Sequence, residues 1–326
     1  MNFVSKYSIF LILLALVIAG ALLNENFLTW QNMSNVSRQI SISTIIAMAQ
    51  TLLIISGMID LASGAVLALA GVLSVSVFKT TDSFALAILV GVVAGVLCNS
   101  ISGLIVVRFK TPPFIATLAM QTAARGAALL YVNGQNIYQI RDYKVLGQGY
   151  IGGERGIPTP VIFMLIIVVF TWYILRHTKF GRYLYAVGGN EDAARASGIS
   201  IGWTKFTAYA VSGVFVGLAG ILYMSRNNAG LPGAGIGMEF EGMTAAIIGG
   251  TSFSGGVGTA LGTLAGGLIM GFLNNIMNLV GIGSYTQQIV RGGIIVLAVI
   301  LDIYSKNRKY SASTRKKDEA LAKPAA

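Results

Sequence analysis

Side chains able to make or break covalent bonds are scarce in this chain. Its 326 residues include one cysteine, Cys98, and one histidine, His177. Cys98 lies in an apolar run, has no intrachain disulfide partner and reads as a small core residue. So few soft ligands do not support a zinc or iron site. Gly249-Gly250-Thr251-Ser252-Phe253-Ser254-Gly255-Gly256 has the outline of a phosphate-cradling loop. It lacks the lysine such a loop needs and lies between apolar segments, so a tight bend or broken helix is the better reading. No nucleotide-binding, G-x-S-x-G or H-E-x-x-H pattern occurs. The chain reads as a protein that is not an enzyme and carries no cofactor of its own.

What remains is hydrogen bonding in apolar surroundings. Asn99, Gln121, Asn274, Asn275 and Asn278 interrupt hydrophobic runs. A neutral polyhydroxylated solute needs amide donors and acceptors without fixed charge, which makes these five the candidates for a translocation path. Asn274 and Asn278 are four apart and share a helix face. Interhelical hydrogen bonds that fix packing are the competing explanation for each. Asp60, Arg125, Arg291 and Asp302 place charge in or beside the same runs, where it is costly and turns towards a bundle interior or an aqueous route. Asp60, between Ser56-Gly57 and Ser63-Gly64, marks a broken or turned helix and reads as a local cap. Arg125 and Arg291 read as structural polar groups, and Asp302 as a boundary residue.

One polar stretch, Arg176–Lys205, has a different character. Within it Asn190 suits a helix N-cap, Glu191 and Asp192 put negative charge at the positive end of the helix dipole, and Gly198 suits the left-handed residue that ends a helix. A short capped helix between two spans is either a solvated connector or a handle for another protein.

The elements that must position these residues are membrane helices. Hydrophobic residues make up 55% of the chain and charged residues 11%, against roughly 25% charged in soluble domains. The mean hydropathy is +0.73. With a bilayer requirement of about 20 apolar residues, candidate spans fall near 8–23, 41–58, 61–78, 84–107, 112–132, 159–175, 206–225, 242–255, 257–279 and 284–304. The expected fold is an all-α polytopic membrane protein with about ten transmembrane helices. Residues 1–305 form one transmembrane domain, and 306–326 form a basic tail. The first span reads as retained rather than as a signal peptide.

With the N-terminus cytoplasmic, Arg108, Lys110, the Arg176–Lys205 stretch and the tail all fall inside. About 15 of the 23 Lys and Arg lie inside and about 6 outside, the bias of the positive-inside rule. The net charge of +11 therefore requires no nucleic acid, and the tail suits anionic lipid headgroups. Two outer segments, Asn133–Pro158 and Asn227–Glu241, are either docking surfaces or plain connectors.

Several stretches together resemble a known family. They are Ser56-Gly57-Met58-Ile59-Asp60-Leu61, Thr111-Pro112-Pro113-Phe114-Ile115-Ala116-Thr117-Leu118, Thr178-Lys179-Phe180-Gly181-Arg182, Gly188-Gly189-Asn190-Glu191 through Ser197-Gly198-Ile199, Tyr209–Gly220, Gly249–Gly256 and Gly271-Phe272-Leu273-Asn274-Asn275. The chain resembles the membrane permease subunit of bacterial ABC-type monosaccharide importers, most closely the ribose-type permeases. The resemblance implies a vitamin-B12-permease-like (type II importer) architecture in the inner membrane. It also implies a second copy of the permease, a cytoplasmic ATPase that holds ATP and Mg, and a periplasmic sugar-binding protein. It assigns the 188–199 stretch to a coupling helix that docks on the ATPase, with Gly189, Asn190, Glu191, Ala194, Arg195 and Gly198 at the contact. Two alternatives stand beside a ribose-type importer: a permease of the branched-chain amino acid group, and an ion-coupled secondary sugar carrier. The latter would need a midplane carboxylate cluster, which the sequence does not display.

Overall fold

The computed structural model describes residues 3–153, 155–300 and 304, with side chains from residue 9 onward. The basic tail and Asp302 lie outside the described residues. The helices are α1 (Phe3–Leu23), α2 (Trp30–Ile55), α3 (Ser63–Thr81), α4 (Phe84–Phe109) and α5 (Pro113–Tyr131). A 3-10 turn at Arg141–Lys144, the short α6 (Val145–Gln148) and the two-residue antiparallel strands β1 (Tyr150–Ile151) and β2 (Ile157–Pro158) follow. Then come α7 (Thr159–His177), α8 (Lys179–Gly189), α9 (Glu191–Ala196), α10 (Ile201–Asn227), α11 (Met238–Ile248) and α12 (Ala260–Leu279). The last described helix is α13 (Ser284–Ile300). Six of these, α2, α3, α4, α7, α10 and α12, are long and apolar enough to cross a membrane. The chain is an all-α polytopic membrane protein with one minimal hairpin.

Hydropathy misplaces the start of α2. The expected span begins at 41, but the helix begins at Trp30, with the Thr29 hydroxyl accepting from the Asn32 amide. Residues 32–39 are polar and fail a lipid-transfer test, yet α2 is the central helix, and 89% of its most apolar window is buried in protein. It packs against α7, α10, α11 and α12. The expected span 242–255 is also corrected. α11 stops at Ile248, and residues 249–259 form a loop in which Gly250, Gly255 and Gly256 have positive φ.

The closest helix packing joins α10 to α3 and α4. A Cβ on Gly217 would lie 2.7 Å from the Gly91 carbonyl oxygen, and one on Gly213 would lie 2.7 Å from the Val96 Cα. Small residues at these crossings bring backbones together, which drives association where lipid is as apolar as the side chains. Outward-facing Leu89, Leu97 and Leu104 of α4 are about half exposed, as a bilayer-facing surface would be.

The segments 133–158 and 227–241 are fastened to this slab and to each other. Tyr143 is fully buried, its hydroxyl 2.7 Å from Ser74 Oγ, and its carbonyl accepts from Ser225 Oγ at 2.5 Å. Burial pushes its phenol well above the ordinary range. Ile137 and Gly230 exchange two backbone hydrogen bonds of 2.8 Å, and Arg141 pairs with Asp82 at 2.7 Å.

Candidate functional site

The polar stretch folds into two helices, of which the sequence reading anticipated only the second. In α8, Thr178 Oγ1 accepts from the Gly181 amide at 3.0 Å, and Leu184 and Val187 are buried while Tyr183 faces outward. In α9, Asn190 Oδ1 accepts from the Ala193 amide at 2.9 Å. At the other end Gly198, φ +78°, donates to the Arg195 carbonyl while Ile199 donates to the Ala194 carbonyl. These reverse bonds satisfy carbonyls that a helix end leaves open. Ala194 is buried and fixes α9 to the body, whereas Asp192, Ala193, Arg195 and Ala196 are exposed. Glu191 Oε1 pairs with Lys205 Nζ at 2.5 Å. A groove of about 430 Å³ beside the pair is lined by Lys110, Pro112, Pro113 and Arg195 among others.

The base of α9 meets the transmembrane body at one compact joint. A Cβ on Gly188 would fall onto the Ile55 carbonyl oxygen, at the end of α2, and lie 2.8 Å from the Gly256 nitrogen. The Gly256 amide itself donates to the Ile55 carbonyl at 2.8 Å. The Tyr185 hydroxyl donates to the Gly258 carbonyl at 2.7 Å. The end of α8, the end of α2 and the loop before α12 therefore converge at Gly188. By contrast, a Cβ on Gly189 would meet nothing within 4 Å.

The amide candidates separate into different settings. Asn99 is fully buried, and its Nδ2 donates to Ser212 Oγ at 3.2 Å and to Asp60 Oδ2 at 3.3 Å. These bonds tie α4 to α10 and to the Asp60 cluster. Asp60 accepts from the Ala62 amide and from Ser63 Oγ, both at 2.7 Å, so it caps α3 and ties α4 to that cap. Gln50 Nε2 completes the cluster through the Asp60 carbonyl at 2.7 Å. Asn275 exchanges two hydrogen bonds with Asn32, at 2.8 and 3.0 Å, joining α12 to α2. Asn278 accepts from Gln287 of α13 at 2.8 Å. Gln121 donates to Glu239 Oε1 at 3.3 Å, and Arg125 donates to the Pro232 carbonyl at 2.6 Å. The first secures α5 to the first turn of α11, and the second to the segment that leads into it.

Asn274 has the most informative placement. It is 1% exposed; its Nδ2 donates to Glu241 Oε1 at 3.0 Å and its Oδ1 accepts from Arg291 Nε at 3.0 Å. The amide stands behind a charged pair, and it is Glu241 and Arg291 that face open space. They line a polar cavity of about 240 Å³ with Gln39, Ser43, Tyr223 and Arg226. They also line an adjoining cavity of about 270 Å³ with Phe240, Thr244 and Gln288. A larger cavity of about 480 Å³, between the start of α2, α7 and α12, is walled mainly by apolar side chains such as Val161, Leu268 and Phe272. Sequence reasoning missed Glu241 as a wall residue. It sits 33 positions from Asn274, and only the helix crossing brings them together. Among the described residues no group of three His, Cys, Asp or Glu is placed to hold a metal ion.

Comparisons with known proteins point to membrane transport components. The family described as branched-chain amino acid transport system / permease component matches residues 32–299. The ribose import permease protein RbsC of Escherichia coli (strain K12) is 40% identical over 292 residues, covering 89% of this chain and 91% of that protein. RbsC of Bacillus subtilis (strain 168) is 41% identical over 300 residues, covering 91% and 92%. The D-allose transport system permease protein AlsC of Escherichia coli (strain K12) is 37% identical over 302 residues, covering 92% of each. No solved structure matches the chain. These relatives are transport components and not enzymes. The match over most of the length places the chain in the branched-chain amino acid transport system / permease component family of membrane transport proteins.

Proposed function

We propose that the chain is the transmembrane subunit of an ATP-driven importer that moves a neutral monosaccharide, with ribose the first candidate, across a bacterial inner membrane. The observation that carries the reading is the 40% identity to a ribose import permease over 89% of the chain. The amino acid reading of the broad family is less favoured, because sugar permeases recur among the relatives. In this reading the full span set is ten, α1 to α5, α7 and α10 to α13, in a vitamin-B12-permease-like arrangement with cytoplasmic termini. Two copies pair in the membrane, and a periplasmic binding protein delivers the sugar.

The ATPase, which carries ATP and Mg, docks on α9. Three features support this role. The helix is capped at both ends, its outer face is exposed, and the Glu191–Lys205 pair holds its first turn to α10. From α9, displacement passes through Gly188 to the end of α2 and the loop before α12. An ATPase can shift the permease between two arrangements only if its contact with α9 differs in free energy between them. The test is co-purification and ATPase stimulation with a Glu191→Lys/Arg195→Glu variant. The reading expects the variant to insert normally but to lose sugar-stimulated ATP hydrolysis. Unchanged transport would remove α9 from the coupling role.

A further inference from the structure

The polar cavity between α2, α10, α11 and α13 has the chemistry of a solute-contact station. We propose that Glu241 and Arg291, with Gln39, Ser43, Tyr223 and Arg226, bind a neutral polyhydroxylated solute in transit. The proposal rests on the reading of the chain as a sugar permease and adds to it the place of contact.

The two charges in the wall are bridged by an amide. Glu241 and Arg291 are not among the direct ion pairs of the described residues, which are Arg141–Asp82 and Lys205–Glu191. Asn274 stands between them, spanning the gap with two hydrogen bonds of 3.0 Å. That bridge uses one carboxylate oxygen of Glu241 and Nε of Arg291. Glu241 Oε2 and the two terminal nitrogens of Arg291 have no hydrogen-bond partner among the described residues, although both side chains line the cavity. An acceptor and a donor held apart by an amide match the two hydroxyls of a vicinal diol, one donating to the carboxylate and one accepting from the guanidinium.

Hydrogen-bonding capacity elsewhere in the wall is also unspent. Neither the Gln39 amide, the Tyr223 hydroxyl nor the Arg226 guanidinium makes a side-chain hydrogen bond among the described residues, while the main-chain carbonyls of Tyr223 and Arg226 do accept. Polar side chains that open into a cavity without protein partners are free to bond to water or to a hydroxylated occupant. Glu241 disfavours an anion and the two arginines disfavour a cation, whereas an apolar solute would leave all of them unsatisfied. The volume of about 240 Å³ is below the roughly 300–1,000 Å³ of drug-sized sites. Because Glu241 and Arg291 also face the second cavity, they form a partition that a solute contacts from both sides.

The test uses the complete transporter, with this chain, the ATPase and the sugar-loaded binding protein in proteoliposomes, and radiolabelled D-ribose as the probe. Gln39→Leu and Arg226→Met should each slow uptake per ATP hydrolysed about threefold to tenfold, the loss of one hydrogen bond. Arg226→Lys, which keeps the charge and donors, should recover most of it. A second readout does not require a transport-competent variant. In a Cys98→Ser background, Ser43→Cys should react with a small water-soluble thiol reagent, and ribose should slow that reaction at least threefold. No uptake by the unaltered transporter would overturn ribose as the solute and this site as a ribose contact with it. Uptake that is normal in both variants, or labelling of Ser43→Cys that ribose leaves unchanged, would overturn the site alone.

Discussion

Gly188→Ala tests whether the joint beneath α9 transmits displacement. The added Cβ would fall onto the Ile55 carbonyl oxygen and within 2.8 Å of the Gly256 nitrogen, the two atoms joined there by a hydrogen bond of 2.8 Å. All three participants are backbone, so no flexible side chain can swing away. Overpacking costs about 1–3 kcal/mol, and weakening the Gly256–Ile55 bond adds about 0.5–1.5 kcal/mol. A total of about 1.5–4.5 kcal/mol falls on contacts that must hold together while α9 is displaced. Gly189→Ala is the internal control. Its Cβ meets nothing within 4 Å, and replacing a helical glycine by alanine stabilises by about 0.5–1 kcal/mol. The assay is sugar transported per ATP hydrolysed in reconstituted transporter, with assembly checked by size-exclusion chromatography. Gly188→Ala should still bind the ATPase but transport at least tenfold less per ATP, whereas Gly189→Ala should match the unaltered chain. Equal behaviour of the two variants would refute the joint.

Three further outcomes follow from the same contacts. Asn190→Ala removes the cap that satisfies the Ala193 amide and should weaken α9 by about 1 kcal/mol, seen as reduced ATPase affinity in a pull-down titration with insertion unchanged. Asp60→Ala leaves the Ala62 amide, Ser63 hydroxyl and Asn99 amide without their shared acceptor in a fully buried site. It should cost about 2–4 kcal/mol, read as a lower thermal unfolding midpoint of the detergent-solubilised subunit. Gly217→Val pushes α10 from the Gly91 carbonyl of α4 and should lower the same midpoint, while substitution at the outward-facing Leu97 should leave it nearly unchanged.

Local signals in the sequence translated well into structure. Asn190 and Gly198 define the ends of α9 because capping depends on the residues immediately around it. Asp60 was recognisable as a cap at a helix break for the same reason. Signals that depend on the surroundings did not carry over. The polar start of α2 was invisible because hydropathy measures transfer to lipid, and this helix is buried in protein. The amphipathic α8 was hidden inside a stretch that looked uniformly polar. In the polar cavity, Asn274 drew notice by being an amide in an apolar run, and the structure places it between Glu241 and Arg291, bonded to both. Glu241 looked like part of an outer loop, since nothing local tells that α11 begins at Met238 and packs against α2 and α12.

The account stands most directly on ATP-dependent uptake of radiolabelled D-ribose into proteoliposomes holding this chain, the ATPase and the binding protein, with ATP supplied on the α9 side. It predicts uptake that requires all three components and hydrolysable ATP and is indifferent to ion gradients. Ribose uptake by this chain alone, driven by a proton or sodium gradient, would contradict it.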